Sequence, residues 1–256
     1  MAKFAANLSM MFTEVDFPDR FARAANAGFK AVEFLFPYDY APEDVANWLR
    51  DNGLAMALFN MPPGDWAAGE RGMAAIPGRE DEFAAGVETA IHYARSTGVP
   101  HLHAMAGLTS GEDAPDSYMT TYKANLAAAA DRLAPEGRDV LIEPINTRDM
   151  PRYFLNHTDA AIDIIESLGK PNLKLQFDIY HRQIMDGDVV KALERSMPHI
   201  GHIQIAGTPG RHEPSEGELN YPYIFDQLDA LGYQGWIGCE YIPRGKTEDG
   251  LGWLPG

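Results

Sequence analysis

Four polar side chains close apolar, β-branched runs of this chain: Glu143 after DVLI, Asp178 after LKLQF, Gln204 within IGHIQI and Glu240 after GWIGC. Their carboxylate and amide oxygens, with no thiolate beside them, suit a hard divalent cation, Mg2+ or Mn2+, better than a structural zinc. A single carboxylate at such a place is more often a helix cap, a loop anchor or a surface group. Three carboxylates buried together without a cation would be costly, so convergence of the set would favour a shared ion.

Convergence has to come from the elements that carry these residues. Apolar segments alternate with segments of helical period about every thirty residues, as βα units do. Strands are expected near residues 3–8, 30–35, 54–60, 100–105, 139–143, 173–178, 200–205 and 235–240, and helices over 16–27, 42–52, 80–97, 115–134, 158–168, 187–196 and 222–231. Gly28, Gly53, Gly98, Gly169 and Gly232 each follow a helical run, where a left-handed cap belongs. Eight such units predict an α/β fold, a single (β/α)8 barrel over residues 1–256. An open doubly wound sheet is the alternative, but no Gly-rich phosphate fingerprint follows the first strand.

In a closed barrel one strand face meets helices and the other meets the interior, so side-chain parity is informative. Leu175 and Phe177 oppose Lys174, Gln176 and Asp178; Ile203 and Ile205 oppose His202 and Gln204; Ile237 and Cys239 oppose Gly238 and Glu240. With the apolar set facing helices, the polar set points inward. The last inward residues are then the cation set, at the C-terminal face where barrel enzymes hold their active sites.

Other residues are candidates to meet a substrate. His181, three residues past Asp178, is placed to meet a substrate oxygen or to orient a ligand, with a loop or structural role as the alternative. His101 and His103 share a face of the fourth strand; packing is expected for His101 and a pocket-lining place for His103. Glu33 has inward potential and could satisfy Lys174 or a backbone group. Two long loops, 61–79 and 206–221, carry Arg71 and Arg211, and an arginine fork matches a substrate carboxylate. Arg211 ranks above Arg71 because its loop follows the strand bearing Gln204. Asn60 could bond a hydroxyl, and Trp66 could cover the pocket or anchor its loop.

Composition narrows the partners. The 256 residues are 45% hydrophobic, ample for one large core, and the formal net charge of -16 argues against nucleic acid, whose binding draws on Lys and Arg. The N-terminal residues show neither a signal peptide nor a membrane span, so a cytoplasmic protein with no membrane partner is expected. The single cysteine, Cys239, is expected to be a buried structural thiol. Self-association into a homo-oligomer is compatible with the sequence.

Long strings carry a resemblance over nearly the whole chain: FAANLSMMFTEVDF, VEFLFPYDY, GDWAAGERG, IPGRE, LIEPIN, LQFDIYH, HIQIAGTPGRHEP, GELNYPYIF and GYQGWIGCEY. The chain resembles the hydroxypyruvate isomerases, including the 2-oxo-tetronate isomerases, among the xylose-isomerase-like barrels. The resemblance implies that Glu143 and Glu240 are an acid/base pair and, with Asp178 and Gln204, ligands of a divalent metal. It also implies a small hydroxy-keto acid as substrate, foremost hydroxypyruvate converted to tartronate semialdehyde through a cis-enediolate. The loop with Arg211 reads more like the tetronate isomerases, whereas LIEPIN and LQFDIYH read more like the hydroxypyruvate isomerases. Alternatives are a keto-sugar 3-epimerase, a phosphodiesterase or abasic-site nuclease, and a non-catalytic sugar-acid binder. The nuclease would need clustered metals, histidine-rich ligands and a basic face, against eight histidines and an acidic chain.

Overall fold

The structure, a computed structural model, describes residues 2–111 and 116–254. Eight parallel strands close in sequence order: β1 Lys3–Asn7, β2 Ala31–Phe34, β3 Ala55–Asn60, β4 His101–His103, β5 Asp139–Ile142, β6 Leu173–Asp178, β7 Ile200–Ile205 and β8 Trp236–Cys239. The last strand pairs back on the first, Lys3 opposite Trp236 and Ala6 opposite Cys239. The expected (β/α)8 barrel is therefore the fold.

Around it lie α1 Phe17–Asn26, α2 Pro42–Asp51, α3 Glu80–Thr97, α4 Asp116–Leu133, α5 Thr158–Leu168, α6 Ile179–Met185, α7 Val189–Ser196 and α8 Tyr221–Ala230. Pro stands in the first turn of α1, α2 and α8, where its missing N–H is not needed. Gly98 and Gly169 close α3 and α5 with left-handed backbone, as their places after helical runs required. Residue 115, the expected start of the fourth helix, lies outside the described residues.

Strand parity comes out as read from the sequence. Leu175, Phe177, Ile203, Ile205, Ile237 and Cys239 belong to the large core between strands and helices. Inside the barrel, Ala5, Ala31 and Ala57 make a small cluster closed by Trp236. These small residues leave interior width for the polar layer above them. Among the described residues, no helix is long and apolar enough to cross a membrane.

Candidate active site

Glu143 and Glu240 each stand one residue past the end of their strands, and Asp178 is the last residue of β6. Parallel pairing aims all three at the same end of the barrel, with Asp178 directly opposite Gln204 on β7. One ligand atom each from Glu143, Asp178, His181 and Glu240 lies within 4.8 Å of the others, and all four residues are buried.

His181 joins this group because of a short helix that the hydrophobic periodicity does not reveal. Asp178 caps α6: its Oδ1 accepts the Tyr180 and His181 N–H groups at 2.7 and 3.2 Å. The chain turns at once into the helix and carries His181 inward. An Asp at a strand end followed by an apolar residue was the available signal for that cap. The Nε2 of His181 sits 3.7 Å from both Glu143 Oε1 and Asp178 Oδ2. On the other side of the ring, the Asn146 backbone N–H points at Nδ1 at 3.3 Å, and the Asn146 amide Nδ2 at 2.6 Å. The amide orientation is fixed by Asp149, whose N–H donates to Asn146 Oδ1 and whose Oδ2 accepts from Nδ2. Nδ1 is thus an acceptor, and the neutral ring carries its proton on Nε2, toward the carboxylates.

Gln204 is held from both sides. Its Nε2 donates to Glu33 Oε1 at 2.8 Å, and its Oε1 accepts from Gln176 Nε2 at 2.6 Å. Glu33 accepts in addition from Asn7 at 3.0 Å and meets His202 Nε2 at 2.6 Å. The expectation that Glu33 satisfies Lys174 or a backbone group is corrected accordingly: its partners are Asn7, His202 and Gln204. His101 packs as expected, its ring near that of His202, with Nδ1 3.1 Å from Asp139.

Several oxygens of this layer have no partner. Glu143 Oε1, Asp178 Oδ2 and Gln176 Oε1 are buried and accept no hydrogen bond among the described residues. Burial pushes the Glu143 carboxyl well above the usual range, with the Glu240 and Asp178 charges adding to the effect. Burial also lifts Glu240, to about 8, against the pull of the Arg211 charge, and raises Asp178 against the same arginine and two backbone N–H groups. Three carboxylates lifted this way, two of them with an orphaned oxygen, are what a divalent cation would relieve. The residues present therefore fit a cation of the Mg2+ or Mn2+ type, with Glu143, Asp178 and Glu240 as carboxylate donors and Gln204 beside Asp178 as an amide donor.

A cavity of about 140 Å³ opens on this layer, lined by Glu143, Gln176, His181, Glu240, Asn60, Trp66, Arg71 and Arg211 and by apolar side chains including Met105 and Ile145. That is well below the ~300–1,000 Å³ of drug-sized sites, so its occupant is small. Asn60, at the end of β3, donates weakly to Met105 Sδ at 3.6 Å and is otherwise free to meet a ligand. His103, expected to line the pocket, instead stands off the cavity: it is buried, both ring nitrogens lack a hydrogen-bond partner among the described residues, and Nδ1 lies 3.6 Å from Glu143 Oε2. Burial brings its pKa down to about 3, so it is a neutral wall behind Glu143. Trp66 stacks with Arg71 and also packs edge-on against Phe36.

Known proteins share the sequence and the fold. The family model of the xylose isomerase-like TIM barrel matches residues 21–255. The chain belongs to that family. It is 57% identical over 254 residues to a 2-oxo-tetronate isomerase of Cupriavidus necator, covering 99% of this chain and 98% of that protein. It is 47% identical over 254 residues to a hydroxypyruvate isomerase of Escherichia coli, with the same coverage. Among solved structures, a Brucella melitensis protein described as an AP endonuclease of family 2 superposes with a TM-score of 0.97 at 54% identity, covering 99% of this chain and 98% of that one. A 3-keto-D-glucoside 4-epimerase of E. coli shares the fold alone, at 20% identity and a TM-score of 0.82. With close relatives curated as isomerases, this member of the xylose isomerase-like barrels is an enzyme of the isomerase class.

Proposed function

We propose that this chain interconverts short 2-oxo-3-hydroxy acids and their 3-oxo-2-hydroxy isomers with the help of a divalent cation, using Glu143 and Glu240 as the proton-transfer pair. The observation that carries the reading is the pair itself: two buried glutamates with oxygens within 4.8 Å of each other and of Asp178, on the wall of a small cavity. The 57% identity to a 2-oxo-tetronate isomerase favours 2-oxo-tetronate as substrate. Hydroxypyruvate is the second reading, from the 47% relative that bears its name.

When bound, the cation supplies Lewis acidity at the carbonyl and neighbouring hydroxyl oxygens. One glutamate takes the proton from C3, and the electron pair of that C–H bond forms the C2=C3 bond of a cis-enediolate. The other glutamate, protonated at the outset, gives its proton to C2, while the hydroxyl proton passes from O3 to O2, so carbonyl and hydroxyl exchange places; the pair ends with its proton on the opposite glutamate, and exchange with solvent resets it. Burial raises the Glu143 and Glu240 carboxyls in the metal-free chain, and a cation held between them would offset that rise and leave the ionised form that takes a proton. His181, with its proton on Nε2, donates to substrate oxygen as charge develops there. The apolar side chains at the rim restrict water around the enediolate.

Nuclease chemistry of the kind named for the Brucella protein would require a cationic face for a phosphate backbone, and a formal charge of -16 opposes it. The test is proton NMR of the purified enzyme with 2-oxo-tetronate and with hydroxypyruvate in D2O, with and without EDTA. Conversion of either acid with deuterium entering at carbon, abolished by EDTA and in Glu240→Gln, is the expected result. No conversion of either acid by metal-loaded enzyme refutes the reading.

A further inference from the structure

Two arginines face the cavity, and the hydrogen bonds around them are not equivalent. Arg211 uses the edge of its guanidinium that presents Nε–H and Nη2–H together: Nη2 donates to Glu240 Oε2 at 2.8 Å and Nε to the Glu240 carbonyl at 3.4 Å. This is one of the two edges by which a guanidinium pairs bidentately, and Glu240 takes it with one carboxylate oxygen and its backbone carbonyl, which also neutralises the arginine's charge. Arg71 is tethered by its other nitrogen. Nη1 donates to the Trp66 and Glu70 carbonyls at 3.2 and 2.7 Å, and the guanidinium lies on the Trp66 ring, 4.0 Å from its centroid. Nε and Nη2 of Arg71 have no acceptor among the described residues, and no described carboxylate pairs with it.

The loop holds this guanidinium in place from both neighbours. Glu70 is ion-paired with Arg79 and accepts the Asp65 N–H. Gly72 has φ +112° and lies so close to the chain after β4 that a Cβ there would come within 2.3 Å of the Met105 carbonyl oxygen. Its N–H donates to Pro63. Arg71 is therefore a cation set beforehand at the cavity wall, with its bidentate edge unspent.

We infer that Arg71, rather than Arg211, binds the carboxylate of the substrate and selects acids over neutral sugars, because the charge of Arg211 is already paired with Glu240. The inference rests on the isomerase reading given above. It fixes the orientation of the substrate: C1 lies at the Trp66 and Arg71 wall, and C2 and C3 lie between Glu143 and Glu240. A neutral keto-sugar leaves the Arg71 edge unmatched, as does an ester of the same acid.

The experiment compares wild type, Arg71→Met and Arg71→Lys in steady-state turnover of hydroxypyruvate and 2-oxo-tetronate and of their methyl esters, with titration calorimetry of the unreactive diacid tartronate. Loss of a charge-assisted bidentate pair is expected to raise KM for the acids roughly 10- to 100-fold in Arg71→Met. KM for the esters stays within about threefold, tartronate binding weakens in parallel, and Arg71→Lys recovers part of both effects. Acid KM and tartronate affinity unchanged in Arg71→Met overturn the inference, and so does an equal loss for acids and esters, the mark of a merely structural arginine. A wild type that turns over no hydroxy-keto acid refutes the isomerase reading instead, while calorimetry still reports whether Arg71 binds carboxylate.

Discussion

The guanidinium of Arg211 is fastened to Glu240 twice, by the carboxylate Oε2 at 2.8 Å and by the backbone carbonyl at 3.4 Å, and it lies over the Tyr180 ring, 5.2 Å from its centroid. Burial opposes the arginine's charge, but the Glu240, Asp178 and Glu143 carboxylates more than offset it and hold the proton on. In return Arg211 restrains the pKa of Glu240, which burial has lifted to about 8. Arg211→Met removes the restraining charge, so the Glu240 carboxyl rises further above about 8. A carboxyl-carbon NMR titration of the metal-free protein checks this; an unmoved midpoint would show that Arg211 does not govern Glu240. Turnover at pH 7 is expected to fall by ~10²-fold or more, because less of the glutamate is ionised and its geometry is lost.

Metal removal gives the protein an unusual dependence on pH. Glu143, Asp178 and Glu240 all have folded-state pKa values above their unfolded ones, so the folded chain holds more protons between the ordinary carboxylate value near 4.5 and about 8. The stability they contribute is complete below that window and is lost as pH rises through it. Carboxylates lowered on folding, such as Glu14 and Glu136, act below the window, whereas His103 and His181, kept neutral by burial, oppose the trend up to about pH 6.5, so the fall in stability stands clear above that pH. Cation binding runs the other way, since it competes with protons for the same oxygens. Melting temperatures in EDTA are expected to fall from about pH 6.5 to pH 8, while Mn2+ raises them more at pH 8 than at pH 5. A metal-free protein most stable at pH 8 would contradict the assignment.

Much of the site was legible because alternation along a strand is a two-state code. Leu175 and Phe177 against Gln176 and Asp178, or Ile237 and Cys239 against Glu240, left one consistent choice of inward face. The expected helices at 80–97 and 158–168 match α3 and α5 to the residue, because Gly98 and Gly169 mark their ends. What local pattern does not encode is which partner a long side chain selects across the barrel. The sequence ranks Arg211 above Arg71 as the substrate's partner, and only folding shows that Glu240 claims Arg211. The helix α6 escapes detection because seven residues directly after a strand give too little period to read, and with it went the inward turn of His181, its contact with Asn146 and the role of Asp149. Asn7 and His202 were likewise invisible as partners of Glu33, separated from it by 26 and 169 positions.

The ring of His181 depends on Asn146 for its tautomer. Asn146→Leu removes the donor amide, though the backbone N–H remains, and leaves Asp149 Oδ2 with Tyr180 as its remaining side-chain partner there. Loosening a buried polar contact of this kind costs about 1–3 kcal/mol, and a mixed tautomer no longer presents Nε2–H to substrate oxygen. We expect turnover to fall on the order of tenfold with little change in KM. Nitrogen-15 NMR of the imidazole should show Nδ1–H appearing in the variant; a spectrum identical to wild type would mean that the backbone N–H alone fixes the ring.

Gly238 shows how the layer beneath the cavity is assembled. It faces inward on β8 opposite Gln204, and a Cβ built there would come within 2.2 and 2.4 Å of the two carboxylate oxygens of Glu33. Glu33 has no room to yield, since Asn7, His202 and Gln204 all hold it. Gly238→Ala must therefore break at least one of these bonds, adding an overpacking cost of about 1–3 kcal/mol to that of an unpaired buried group. A melting temperature lower by roughly 5–15 °C is expected for a chain of this size. Because Glu33 fixes the Gln204 amide, Mn2+ affinity should drop as well. Gly245→Ala, where nothing lies within 4 Å of the added Cβ, is the matched control and should change neither quantity. Calorimetric melting and Mn2+ titration of both variants decide the matter: a Gly238→Ala protein as stable and as tight for Mn2+ as the control would show that the Glu33 layer does not support the cation site.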